Sequence, residues 1–102
     1  KTYSFEKLLF WQHARELAVW IYRLTKSFPA EEKFGMRRAA ISVASNIAEV
    51  TSGVSKKNQA VAYSSTIELL NDLIIARELA FLTDELYSQG REKIEKQTYL
   101  IS

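Results

Sequence analysis

The pattern that most constrains this chain is a helical repeat of apolar residues running through most of its length. Phe10, Ala14, Leu17, Ile21, Leu24 and Phe28 follow alternating steps of four and three, which line up on one face of an α-helix. Pro29 is expected to end this first helix, because the residue before a proline is pushed out of the helical region. Pro29 to Gly35 reads as a connector. A second helix is expected from about Met36, with Ala40, Val43, Ile47 and Val50 on one face. Thr51 to Ser55 is the next break, and Ser55 is a good N-cap for a third helix. That helix carries two stripes. Ala60, Tyr63, Ile67, Leu70, Ile74 and Phe81 form one, and Ala62, Thr66, Leu69, Leu73, Ala76 and Ala80 the other. At about 100° per residue the pair covers about half the circumference, so this helix must contact neighbours on two sides. Thr83 has the character of an N-cap, with Asp84 and Glu85 complementing the dipole of a fourth helix that carries Leu86, Ile94 and Ile101. Gly90 weakens that helix, since a mid-helix glycine costs about 1 kcal/mol. The expected fold is all-α, an antiparallel up-down-up-down four-helix bundle forming a single domain over residues 1–102.

Composition narrows the chemistry. A chain of 102 residues is near the common size of one domain, and 3 glycines with 1 proline are too few for an all-β fold. The absence of cysteine excludes disulfide scaffolds, zinc ribbons and thiol nucleophiles together. The single histidine, His13, lies three residues before Glu16, but the paired Glu-x-x-His motif of di-metal bundles is absent. A structural or interface role is expected for it, and no metal or cofactor is expected. No phosphate-binding glycine loop, nucleophile elbow or dinucleotide fingerprint occurs, so the chain is read as non-enzymatic. No apolar run approaches the roughly 18–20 residues of a membrane span, and no secretory signal is visible. A cytoplasmic location with no membrane partner is therefore expected.

The net charge of +2 conceals an asymmetry. Residues 1–57 hold ten Lys/Arg against five Asp/Glu, and residues 58–102 hold four against seven. A basic face built from the first half is one reading; an ordinary solvated helix surface is the other. Arg15, Arg23 and Lys26 project opposite the core stripe of helix 1. Arg37 and Arg38 are placed at the start of helix 2, and Lys56 and Lys57 at the start of helix 3. Cations at a helix N-terminus oppose the macrodipole, which phosphate binding would explain. These seven residues are the candidate nucleic-acid contacts. The competing readings are pairing of Arg37 and Arg38 with Glu31, Glu32, Glu49 or Glu68, and simple solvation of Lys56 and Lys57. Trp11, Ala18 and Tyr22 form a second line on helix 1, with Trp20 on the opposite flank. A bundle helix needs only one apolar face, so these four are candidate oligomer contacts, unless they widen the monomer core. Arg38, Ser42, Asn46, Glu49 and Glu68 are expected to form a polar cluster that holds the bundle in register.

The stretch Arg37 to Glu49 (RRAAISVASNIAE) resembles the signature of a bacterial family. Its members are small four-helix proteins encoded in intervening sequences of large-subunit ribosomal RNA genes and often labelled ribosomal-protein-like. Leu9 to Ala14 with Leu17, Ile21-Tyr22 with Thr25, and Phe28-Pro29 with Glu31-Glu32 and Phe34-Gly35 also fit. So do Ser55-Lys56-Lys57 and the run Glu68, Leu69, Ala76, Glu78, Leu79, Leu82. The resemblance implies a protomer that assembles into a ring-like homopentamer with no established enzymatic activity. A related accessory variability protein of diversity-generating retroelements is taken to bind nucleic acid and a reverse transcriptase through a basic surface. That makes RNA or DNA, and such a polymerase, expected partners besides self. A protein-interaction scaffold with no nucleic-acid role is the alternative.

The chain departs from the family pattern at three points. Val50 stands where a glycine usually ends the Ile-Ala-Glu run, and Gly53 is a candidate to supply the turn instead. The last helix is shorter and less leucine-rich than usual, which points to a truncated C-terminus. The opening Lys1, in place of methionine, points the same way at the N-terminus. Only Met36 separates Gly35 from the arginine pair, where the family generally has several more residues of a Leu-Thr-Ser-Gln type. A dropped loop between Gly35 and Met36 is therefore expected.

Overall fold

The computed structural model describes residues 1–50 and 56–101. Four α-helices, α1 (Leu9–Leu24), α2 (Ala30–Val50), α3 (Lys56–Glu78) and α4 (Asp84–Ile101), account for most of them, and no strand occurs among the described residues. Two 3₁₀ turns, Ser4–Lys7 and Thr25–Ser27, precede and follow α1. Each helix packs on the next, α4 closes back on α1, and α1 and α3 stand across the diagonal. Tertiary bonds show the antiparallel order. Arg37 reaches Tyr22, Asn58 reaches Asn46, and Gln97 reaches Phe10. The all-α up-down-up-down bundle expected from the periodicity is the fold observed.

Two apolar clusters fill the interior. At one end Leu17, Ile21, Met36, Leu69, Leu73 and Ile94 are buried, with Phe28 and Phe81 in contact at 5.5 Å between centroids. At the other end Ala14, Val43, Ile47, Ala62 and Ile101 pack with Phe10 and Trp11. The second α3 stripe, Ala62 to Ala76, is the buried one. Of the first, Tyr63 and Ile67 are exposed, whereas Leu70, Ile74 and Phe81 are half-buried and pack against the first cluster.

Three expectations need correction. The first helix stops at Leu24 rather than continuing to Phe28. The chain tightens into a 3₁₀ turn, Thr25 Oγ1 donates to the Ile21 carbonyl at 2.7 Å, and Phe28 before the proline is extended at φ −72°, ψ 154°. The second helix begins at Ala30, six residues before the expected start. Pro29 contributes its carbonyl to the first helical bond, from Lys33 N at 2.9 Å, and Glu31 and Glu32 sit in the first turn where they favour the dipole. The helix then runs through Gly35 and Met36 without a break, so the expected gap between them is not there. The proposed turn at Gly53 and the Ser55 cap lie outside the described residues.

The ends of α3 and α4 are built as their residues dictate. Phe81 N bonds Ala76 O and Ala80 N bonds Arg77 O, both at 2.9 Å, the paired bonds of a Schellman cap. Ala80 occupies the left-handed position at φ 60°, where a Cβ is disfavoured. The Thr83 N-cap is present, its hydroxyl accepting from Leu86 N at 3.2 Å. Gly90 is buried in α4, and a Cβ there would lie 2.9 Å from Trp20 Cη2 and 3.1 Å from Leu73 Cδ2. The missing side chain lets the indole of α1 lie against the α4 backbone.

Gly90→Val is expected to lower unfolding free energy by about 2–3 kcal/mol through overpacking. Urea titration followed by circular dichroism measures it, and Trp20→Leu should recover part of the loss. Ala80→Gly is expected to raise stability by about 1 kcal/mol in the same assay, because it relieves the left-handed strain.

Candidate functional site

The side chains singled out from the sequence do not converge on one patch. The early start of α2 decides where Arg37 and Arg38 fall. They lie two turns into the helix, so they do not form a cationic N-terminus. Arg37 closes the end of α1 instead. Its Nη2 donates to the Tyr22 carbonyl at 2.9 Å and its Nε to Thr25 Oγ1 at 3.0 Å. The guanidinium also stacks 4.5 Å from the Tyr22 ring. A cation among the last carbonyls of α1 complements the dipole, so Arg37 has a structural reason to be there.

The groove between α1 and α2 is apolar at its floor and cationic at its rim. Ala18, Val19, Tyr22 and Ile41 surround a hollow of about 510 Å³, edged by Arg23, Lys26 and Arg37. Val19 is 42% exposed, Tyr22 39% and Ile41 45%. Of the four candidate oligomer residues, Tyr22 is exposed and Trp11 and Trp20 keep part of their surface. Ala18 is buried in the core, Trp20 is half-buried over Gly90, and Trp11 packs with the lower apolar cluster. All three contribute to packing within the protomer.

On the other side of α2 the seam with α3 is polar. Asn46 Nδ2 donates to the Ser42 carbonyl at 2.8 Å, and Asn58 Nδ2 donates to Asn46 Oδ1 at 3.0 Å and Glu49 Oε2 at 2.7 Å. Ser65 Oγ bonds Ser42 Oγ at 2.9 Å. Ser42, Asn46 and Glu49, three of the five residues expected in a polar cluster, thus share one hydrogen-bonded network. Asn58 and Ser65 of α3 complete it, and the sequence reading did not name them. Arg38 and Glu68 lie apart from it, along the same seam. They line a cleft of about 360 Å³ with Glu31, Glu32, Asp72, Gly35 and Ile75. Carboxylates outnumber the lone guanidinium there. Partial burial raises the Asp72 carboxyl above the ordinary aspartate range, and the nearby Glu68 charge adds to the rise; the Asn71 hydrogen bond and Arg38 pull the other way. A Cβ on Gly35 would meet nothing within 4 Å, so no neighbour in this chain explains a glycine in the middle of α2.

The remaining cations gather at the end of the bundle where α1 and α3 begin. Lys56 and Lys57 open α3, and both are exposed. Beside the start of α1, a chain of three aromatic rings has a cation at each end. Lys1 Nζ lies 5.1 Å from the Tyr3 ring, Tyr3 stacks on Phe5 at 6.3 Å, Phe5 meets Trp11 edge-on at 4.9 Å, and the Arg15 guanidinium lies 5.8 Å from Trp11. Lys7 closes the 3₁₀ turn between them. The sequence reading missed Lys1, Tyr3, Phe5 and Lys7, because a cluster of rings and cations before α1 has no helical stripe to mark it. Arg23 and Lys26 lie toward the opposite end of α1.

His13 is structural, as expected. Gln97 is fully buried and its amide donates to the Phe10 carbonyl at 3.1 Å, so its oxygen faces His13 Nδ1 at 2.6 Å and that nitrogen carries the hydrogen. No group of three His, Cys, Asp or Glu residues able to hold a metal ion occurs among the described residues. No helix among them is long and apolar enough to cross a membrane.

A family model described as 23S rRNA-intervening sequence protein matches residues 6–102. The chain belongs to this family. The match begins in the first 3₁₀ turn and takes in all four helices, including the network-bearing stretch of α2. No curated protein matches the chain in sequence.

Arg37→Met keeps the bulk of the side chain but leaves the Tyr22 carbonyl and Thr25 hydroxyl without their donor. It is expected to cost about 1–2 kcal/mol in urea unfolding, with Arg37→Lys recovering only part, since an ammonium cannot reproduce the forked contact.

Proposed function

We propose that this family member is a non-enzymatic, self-assembling accessory protein that associates with RNA through the basic end of the bundle. The observation that carries the reading is the chain of ring contacts from Tyr3 through Phe5 to Trp11, flanked by the cations Lys1 and Arg15, at the same end as Lys56 and Lys57. Cations neutralise phosphates, and exposed rings offer stacking faces to unpaired bases, so the pair suits single-stranded and looped RNA. The family's description, which ties it to 23S rRNA intervening sequences, is consistent with an RNA partner. The apolar surface left exposed by Val19, Tyr22 and Ile41 supports self-assembly, with the pentameric ring implied by the resemblance as the expected form. Polymerase recruitment would add to this role.

Fluorescence anisotropy with a labelled stem-loop RNA tests the RNA reading. The parent should bind with a steep loss of affinity as salt rises. Lys56→Glu/Lys57→Glu should weaken binding by about 10-fold or more at low salt and flatten the salt slope. Tyr3→Ala should weaken binding to looped RNA more than to a duplex. Absence of binding to stem-loop RNA and to duplex at low salt would overturn the reading, and salt-insensitive capture of a protein in its place would favour a scaffold.

A further inference from the structure

The two grooves that flank α2 are chemical complements. The α1/α2 groove has an apolar floor of Val19, Tyr22 and Ile41 with Arg23 and Lys26 on its rim. The α2/α3 groove has Glu31, Glu68 and Asp72 around a hollow edged by the exposed Ile75 and floored by Gly35. The groove near Tyr63 on the far side of α3 lacks this character, because Lys56 lies on it and no carboxylate does.

We propose that a second copy of this chain docks its α1/α2 groove against the α2/α3 groove of the first. This rests on the self-assembly reading above and goes further by assigning the two faces. Three observations favour a second copy as the occupant. Arg23 and Lys26 supply the charge that the carboxylates of the cleft lack within their own protomer. Exposed aliphatic side chains stand beside both charged sets, so contact buries apolar area as the charges meet. Gly35 exposes bare helix backbone in the cleft without a reason inside the chain, and an approaching partner side chain supplies one.

The two faces differ, so the contact is head-to-tail rather than two-fold. Each added copy leaves one basic and one acidic face open, and the assembly closes only as a ring. The lysine end lies at the opposite end of α1 from Arg23 and Lys26, and stays accessible.

Light scattering coupled to size exclusion tests the assignment with the full chain. The parent should run as an assembly. Arg23→Glu/Lys26→Glu and Glu31→Lys/Glu68→Lys should each reduce the mass severalfold. An equimolar mixture of the two should rise well above either variant alone as alternating copies, without having to reach the parent mass, because a five-membered ring cannot alternate throughout. In the mixture an intact acidic face meets an intact basic one, and the two reversed faces also match. The altered side chains are exposed, and circular dichroism checks that each variant is folded. Should a reversal unfold the chain, Arg23→Gln/Lys26→Gln and Glu31→Gln/Glu68→Gln give the same comparison. An assembled parent whose variants stay assembled would overturn the face assignment and leave self-assembly standing. So would folded variants that dissociate singly and gain no mass when mixed. A monomeric parent at about 100 μM, far above the affinity of a stable oligomer, would overturn self-assembly and this inference together.

Discussion

The unbroken passage of α2 through Gly35 sets the register on which the rest of the molecule depends. Once the helix starts at Ala30, Arg37 falls opposite the last carbonyls of α1 and Arg38 falls in the cleft with the acids. Ser42 and Asn46 come level with Ser65 and Asn58. A helix starting at Met36 would have only its later turns against α1 and α3. The glycine weakens local helix propensity by about 1 kcal/mol. Burial of Met36, Ala39, Ala40, Val43 and Ile47 along one face offsets that cost, because these residues join both apolar clusters.

Polar groups inside the bundle are arranged as locks on that register. Gln97 ties α4 to the first turn of α1 through Phe10 and His13. Thr25 and Arg37 tie α1 to α2, and the asparagine–serine network ties α2 to α3. No buried side-chain nitrogen or oxygen among the described residues is left without a partner. A one-turn slip of any helix would leave several of them unpaired at once, each costing about 1–3 kcal/mol. Apolar contacts between leucines tolerate such slips far better, so the polar contacts define the alignment while the apolar ones supply the driving force.

Charge is distributed by the same geometry. α2 lies between a basic, apolar groove and an acidic one, and Lys1, Lys7, Lys56 and Lys57 lie at the end where α1 and α3 begin. A net charge of +2 therefore describes no particular region of the surface. Splitting the chain at residue 57 came closer, but it assigned Glu31 and Glu32 to the basic half. In the fold they join Glu68 and Asp72 from the acidic half. Charges distant in sequence met because α2 and α3 are antiparallel neighbours.

Periodicity alone determined the fold class, the number of helices, most of the buried face of each, and the N-cap at Thr83, because these depend on spacings within one helix. The inner residues of the register network were legible for the same reason: Ser42, Asn46 and Glu49 lie one turn apart. Their partners Asn58 and Ser65, and the pairing of Gln97 with His13, were not, since a hydrogen bond across a helix interface has no signature within either helix. Gly35 and Gly90 show the limit most plainly. Gly35 was read as the end of a connector and Gly90 as a weak point of a helix. Only the packing shows that Gly90 admits the Trp20 ring and that Gly35 has no close neighbour in its own chain. The sequence specified which residues each helix turns inward. Which helices meet, and what their remaining faces offer a partner, was decided by the tertiary structure, where contacts distant in the chain compete for the same surface.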